Sequence, residues 1–357
     1  MRLGLCIVLG CLAATAASAQ TRDGAELFLA ACAACHGADG RGQAPDILGF
    51  ETPVPDFTEC SFATPEADAD WMSIIHQGGP ARAFDRRMPA FGEALQEADI
   101  QRILDYIRGF CGDGRWPRGE LNLPRALVTE KAFPENETVV TAGAPLSGAA
   151  GVRHTLLYEQ RIGARAQFEV VVPFVAHETA DGWRSGLGDV AVALKRVLSH
   201  SLARGNILSA AAEVVLPTGS ETDGTGGGQT VFEPFLAFGQ ILPADGFVQV
   251  QAGGELSTGG GREGFWRAAA GRTFVQQRFG RAWSPMIELL GARELERGAR
   301  VHWDVVPQLQ VSLSKRQHIL VNGGFRVPVN DRAGRPTQFL AYFLWDWFDG
   351  GLLDGWR

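Results

Sequence analysis

The sequence predicts a multidomain chain, with an all-α domain followed by an all-β antiparallel barrel of about twelve strands. Three observations lead there. Between residues 23 and 110 apolar residues recur at helical spacing. From 115 to 136 that periodicity lapses around Pro117, Pro124 and Pro134, as in an extended linker. From Glu137 to Phe348 apolar and polar residues alternate with period two, broken by glycine-rich turns. A length of 357 residues also favours two domains over one.

The first element read from the N-terminus is a targeting segment. Arg2, an apolar run from Leu3 to Ala14, and Ala17-Ser18-Ala19 before Gln20 have the layout of a secretory signal peptide over residues 1–19. The mature chain is therefore expected to be exported and to begin near Gln20. No later segment offers the 18 or more uncharged apolar residues of a spanning helix, so any membrane entry would be by strands.

Next comes Cys32-Ala33-Ala34-Cys35-His36, delivered by a helix read over Asp23 to Ala34 with Leu27, Phe28 and Ala31 on one face. C-x-x-C-H is the attachment signature of c-type haem. Cys32 and Cys35 would form thioethers to the haem vinyl groups, and His36 would ligate iron from one side. The same cysteine spacing also suits a zinc site or a redox dithiol. A second helix is read over Ala67 to Gln77, then Arg87-Met88-Pro89-Ala90-Phe91-Gly92, then a third over Gln96 to Phe110 with Ile100, Ile103, Leu104 and Ile107 as its stripe.

Residues 20–114 thus resemble a class I cytochrome c. In that family a methionine in the loop before the last helix is the second axial ligand, and Met88 occupies that place; Met72 and His76 are its rivals. The resemblance implies one covalently bound haem c, six-coordinate iron and single-electron transfer rather than substrate conversion. It also implies that the last helix crosses the first, with Gly24 allowing close approach near Tyr106.

Removal of the signal leaves Cys60 and Cys111 besides the haem cysteines, in an oxidising compartment; a disulfide between them is the economical reading, and two buried thiols are the alternative. Residues 20–114 hold 7 Arg and no Lys against 16 Asp plus Glu, a net −9. Such a field favours a cationic redox partner and argues against nucleic acid.

In the second domain, Phe168, Val170, Val172 and Phe174 alternate with Gln167 and Glu169, and Trp303, Val305, Pro307, Leu309 and Val311 with Asp304, Gln308, Gln310 and Ser312. Alternation alone fits any half-buried strand. Charged residues recurring on the polar face (Glu169, Lys195, Glu213, Glu233, Glu288, Asp304) favour a wet lumen. So does a regular alternation of short turns, such as Gly163-Ala164, with longer loops, such as 177–187 and 218–228. Gly186-Leu187-Gly188-Asp189 and Leu216-Pro217-Thr218-Gly219-Ser220 resemble the outer-membrane family named for the meta-pathway of phenol degradation. That resemblance implies a barrel over residues 137–348 in contact with outer-membrane lipid, with a tail over 349–357.

The expected function is that of a monohaem c-type cytochrome transferring single electrons in the periplasm, anchored by its barrel. The alternatives are an outer-membrane transporter or porin with a tethered or sensing cytochrome, and a soluble periplasmic carrier with a β-sandwich domain. No catalytic constellation is read. His154, His177, His200, His302 and His318 are scattered without zinc-type pairing.

Overall fold

The computed structural model describes residues 22–50 and 53–347. The signal read at 1–19 and the tail read at 349–357 lie outside the described residues. The N-terminal domain consists of α1 (Gly24–Ala31), α2 (Ala33–His36), α3 (Pro45–Leu48), α4 (Cys60–Ala63), α5 (Asp68–Gln77), the 3-10 turn η1 (Gly79–Arg82) and α6 (Glu97–Phe110). Asp23 caps α1, accepting from the Glu26 amide at 2.8 Å while Glu26 reaches back to the Asp23 amide at 3.3 Å. Gln96 and Asp99 form the same reciprocal cap on α6.

Helix α6 crosses α1 at Gly24. A Cβ there would lie 2.2 Å from the Arg102 carbonyl oxygen and 3.1 Å from Tyr106 Cβ, so only glycine permits the approach. Leu27 and Phe28 meet Ile100, Ile103, Leu104 and Ile107 in one buried core. Phe28, Tyr106 and Phe110 are mutually packed at centroid distances of 5.1–5.4 Å. Cys60 and Cys111 are joined by a disulfide that ties α4 to the end of α6.

The second domain has fourteen β-segments: β1 (Glu137–Pro145), β2 (Gly151–Ile162), β3 (Ala166–Thr179), β4 (Gly182–Leu187), β5 (Ala191–Ser201), β6 (Asn206–Val215), β7 (Val231–Leu242), β8 (Gly246–Ser257), β9 (Arg262–Arg272), β10 (Phe274–Val275), β11 (Ala282–Glu294), β12 (His302–Ser312), β13 (Ile319–Pro328) and β14 (Gln338–Asp346). Twelve of them form a closed antiparallel barrel, with β14 pairing β1 and β9 pairing β11. The other two are accessories. β10 makes a two-residue ladder with β11, and β4 folds back on an extended β3. The stretch 177–187 read as a loop is therefore mostly a projecting hairpin. Closure excludes the sandwich alternative.

Which face is buried is the informative point. On β12, Asp304, Gln308, Gln310 and Ser312 are buried, whereas Leu309 is 40% exposed. On β11, Glu288 is fully buried and Ile287 is 54% exposed. On β5, Lys195 is buried and Leu194 is 62% exposed. A water-soluble β-domain buries the opposite set. Here the polar side faces inward and the apolar side outward.

Several inward polar groups find their partners in residues 115–136. This segment is irregular apart from η2 (Gly119–Leu121), and it runs up into the lumen and back. Near the mouth, Leu121, Ala132 and Phe133 pack on Val197, Ile207 and Ala237. Deeper in, the amides of Leu127, Thr129 and Glu130 donate to Gln308, Glu288 and Gln251 at 2.9, 2.6 and 3.1 Å. Gln249 and Tyr342 donate to the carbonyls of Pro124 and Arg125 at 2.8 and 2.7 Å. The segment leaves where it entered, with Asn136 accepting from the Arg161 amide at 2.8 Å. The linker of the sequence reading is thus a plug.

Candidate functional site

The C-x-x-C-H segment sits at the corner between α1 and α2. Cys32 ends α1, its amide donating to the Phe28 carbonyl at 2.8 Å, and the amides of Cys35 and His36 both donate to the Cys32 carbonyl. One tight turn therefore holds the two thiols and the imidazole at fixed offsets. Gly37, at φ 71°, then releases the chain from α2.

Both thiols are free, with Cys32 buried and Cys35 partly so. Burial, with Cys35 adding to it, pushes the Cys32 thiol up to about 11. A redox dithiol needs the reverse, a thiol lowered toward neutrality. Burial lowers His36 to about 4, which keeps its imidazole neutral, the form that binds metals. Phe57 stacks on that ring at 4.8 Å, and His36 Nδ1 is enclosed without a hydrogen-bond partner among the described residues.

The zinc reading fares no better than the dithiol. Among the described residues, the one set of three ligating side chains whose donor atoms converge is Glu130, Glu159 and Glu169, inside the barrel. Glu159 there is already engaged by Arg125 at 2.8 Å and Gln167 at 2.6 Å.

Of the three candidates for a second axial ligand, Met88 and Met72 both pack against the core that contains Cys32 and Phe57. His76 points elsewhere. Its ring lies 5.5 Å from that of Phe279, on the turn between β10 and β11. The Met88 loop closes on itself, the Gly79 amide donating to the Met88 carbonyl at 3.0 Å and the Phe91 amide to that of Ile75 at 2.9 Å.

Residues 19–107 match the family described as cytochrome C oxidase, cbb3-type, subunit III. The N-terminal unit is a cytochrome c domain. Such a domain binds haem c, and the residues present fit that group: two unpaired thiols, a neutral imidazole with an orphaned ring nitrogen, and a thioether beside the same core. The match ends within α6, so it covers the haem domain and not the barrel.

No curated protein matches the chain. Among solved structures, an outer membrane channel from Pseudomonas putida F1 is 13% identical with a TM-score of 0.43, covering 62% of this chain and 99% of its own. The NanC porin is 10% identical with a TM-score of 0.40, covering 58% of this chain and 97% of its own. The KdgM porin in complex with disordered oligogalacturonate is 11% identical with a TM-score of 0.38, covering 58% of this chain and 98% of its own.

The cytochrome c domain is seated on the short-turn end of the barrel. His318 is 2.9 Å from Glu66, and Arg278 pairs with Glu97 at 2.5 Å. Arg165 from the β2–β3 turn and His200 from the end of β5 reach the Arg115 carbonyl at 3.2 Å each. Gly119 donates to the Thr64 carbonyl at 2.8 Å, where a Cβ would collide with the Pro65 carbonyl. Sequence reasoning could not find these contacts, because most of them run through backbone carbonyls or between turns distant in the chain.

Proposed function

We propose that this protein is a monohaem c-type cytochrome that passes single electrons in the periplasm and is held in the outer membrane by its own barrel. Cys32 and Cys35 are the covalent anchors, and His36 and Met88 the axial ligands. The observation that carries this reading is that both candidate ligands and the first anchor border one dry core, Met88 and Cys32 directly and His36 through Phe57. With His36 and Met88 both holding it, a bound haem would offer no iron site to a substrate. Bound there, haem supplies a one-electron couple whose potential a thioether ligand raises. The chain keeps His36 neutral, fixes its plane by the Phe57 stack, and excludes water with Leu27, Ile100, Ile103 and Leu104.

The membrane assignment is supported by the apolar exterior. Outward aromatics also sit near both ends of the barrel: Tyr158 and Trp283 toward the short turns, Phe232, Phe325 and Phe339 toward the loops. Such girdles mark the two interfaces of outer-membrane barrels. A periplasmic haem domain then requires the short turns to face the periplasm. The net −9 over residues 20–114 selects a redox partner with a positive docking face. A transporter reading would need residues 115–136 to leave the lumen.

Cell fractionation with haem staining and redox titration tests the proposal. The expected result is a haem-stained band of the full chain in the outer-membrane fraction, titrating as one electron per chain. Recovery of that band in the soluble periplasm would overturn the membrane assignment, and more than one electron per chain would overturn the monohaem one.

A further inference from the structure

We propose that Arg82, together with Arg316 of the barrel, is a positioning residue for Met88, so that the barrel's periplasmic turns form part of the seat of the sixth-ligand loop. This inference rests on Met88 being the axial ligand proposed above. The chain leaves α5 at Gly78 (φ 84°), makes the turn η1, passes through the left-handed Ala83 (φ 57°) and returns at Met88. Arg82 is the last residue of η1 and is 5% exposed. Its Nε donates to Asp70 on α5 at 2.9 Å, and its Nη1 to the Phe279 carbonyl on the β10–β11 turn at 2.7 Å. One guanidinium therefore joins the loop, the helix it leaves and the barrel.

A second arm comes from the neighbouring turn, where Gln317 donates to the Gly280 carbonyl at 2.9 Å. Arg316, on the β12–β13 turn, donates to the Ala83 carbonyl at 3.3 Å and lies 4.3 Å over the Phe84 ring. The seat has no slack. A Cβ on Gly79 would lie 2.2 Å from the Asp85 carbonyl and 3.2 Å from Met88 Cβ, so a shift of η1 moves Met88. A planar fork is needed to serve two acceptors in two directions, which a lysine cannot do with equal geometry.

The test uses the full haem-loaded chain, folded in detergent, at pH 7.5. Its readouts are the far-red sulfur-to-iron absorption band of the oxidised protein, the midpoint potential and the affinity for added imidazole. Arg82→Ala and Arg316→Ala should retain covalent haem, weaken the band, lower the potential and raise imidazole affinity about tenfold or more. Arg82→Lys should fall between Arg82→Ala and wild type. Arg82→Ala with a folded barrel and a wild-type band, potential and imidazole affinity overturns the proposal. If Arg82→Ala does not assemble, Arg316→Ala decides by the same measurements. Met88→Ala provides the reference: persistence of the band in that variant refutes the ligand assignment itself, a separate failure.

Discussion

Arg125 of the plug donates through one nitrogen, Nη1, to Glu137 at 2.6 Å and to Glu159 at 2.8 Å, joining the first two strands of the barrel to the segment that precedes them. All three side chains are no more than 6% exposed. Lys131, further along the plug, bonds Glu135 and approaches Glu137 at 3.4 Å. The plug is thus attached by buried charge as well as by backbone hydrogen bonds.

Removing one partner of such a network weakens the rest. Arg125→Met should leave Glu137 with Lys131 at 3.4 Å as its remaining cation and Glu159 with Lys195 at 3.8 Å, and cost about 3–5 kcal/mol. The urea midpoint of the folded-to-unfolded gel shift should fall accordingly. Arg41→Met, whose nearest carboxylate is 3.6 Å away on an exposed surface, is the control and should leave the midpoint unchanged.

Met88→Ala should keep haem covalently attached while removing the sulfur ligand, which lowers the potential and opens the iron to added ligands. Cys32→Ala with Cys35→Ala should abolish haem staining altogether. A Met88→Ala protein with an unaltered potential would direct attention to Met72, which borders the same core.

Cys60 and Cys111 should resist thiol reagents as a bridge does. They close a loop over a sequence separation of 51, for which the chain-entropy account gives about 4 kcal/mol. Alkylation of the denatured, unreduced protein should modify neither. Two labelled thiols at these positions would refute the bridge.

The barrel faces make opposite demands. Val214→Lys places a charge on the outer face and should cost about 2–4 kcal/mol if that face meets lipid. Glu213→Lys, one residue away, turns inward opposite Glu233, directly across the β6–β7 ladder, and should be tolerated as an opposite-charge pair. Spin labels at Val172 and Val214 should respond to molecular oxygen more than to a water-soluble nickel complex. The reverse preference would place that face in water.

Much of this architecture was legible in sequence because its elements are periodic. The stripe Ile100-Ile103-Leu104-Ile107 located α6, and the alternation of Leu309 with Gln308 and Gln310 located β12. Alternation cannot say which face is enclosed, since a sandwich and a lipid-embedded barrel share the pattern. The plug was unreadable for a related reason. Leu121, Leu123, Leu127 and Phe133 follow no period because their partners lie on a curved wall contributed by strands far along the chain. The β3–β4 hairpin does carry a signal, Asp181-Gly182, a favoured tight-turn pair inside the stretch 177–187. The seat of Met88 carried none, because the acceptors of Arg82 and Arg316 across the domain boundary are main-chain oxygens, which look alike in any sequence.

The path of residues 115–136 settles a question of topology. The segment goes in through the short-turn mouth and comes out through it, from Arg115 beside the β2–β3 turn to Asn136 beside Arg161. It is an inserted bight and not a thread, so no chain end has to pass through the barrel. The ring of strands can close around an empty lumen and receive the segment afterwards, and the segment can be withdrawn with every strand pair intact. Tension for such a withdrawal would come through Arg115 and Trp116, where the haem domain is attached.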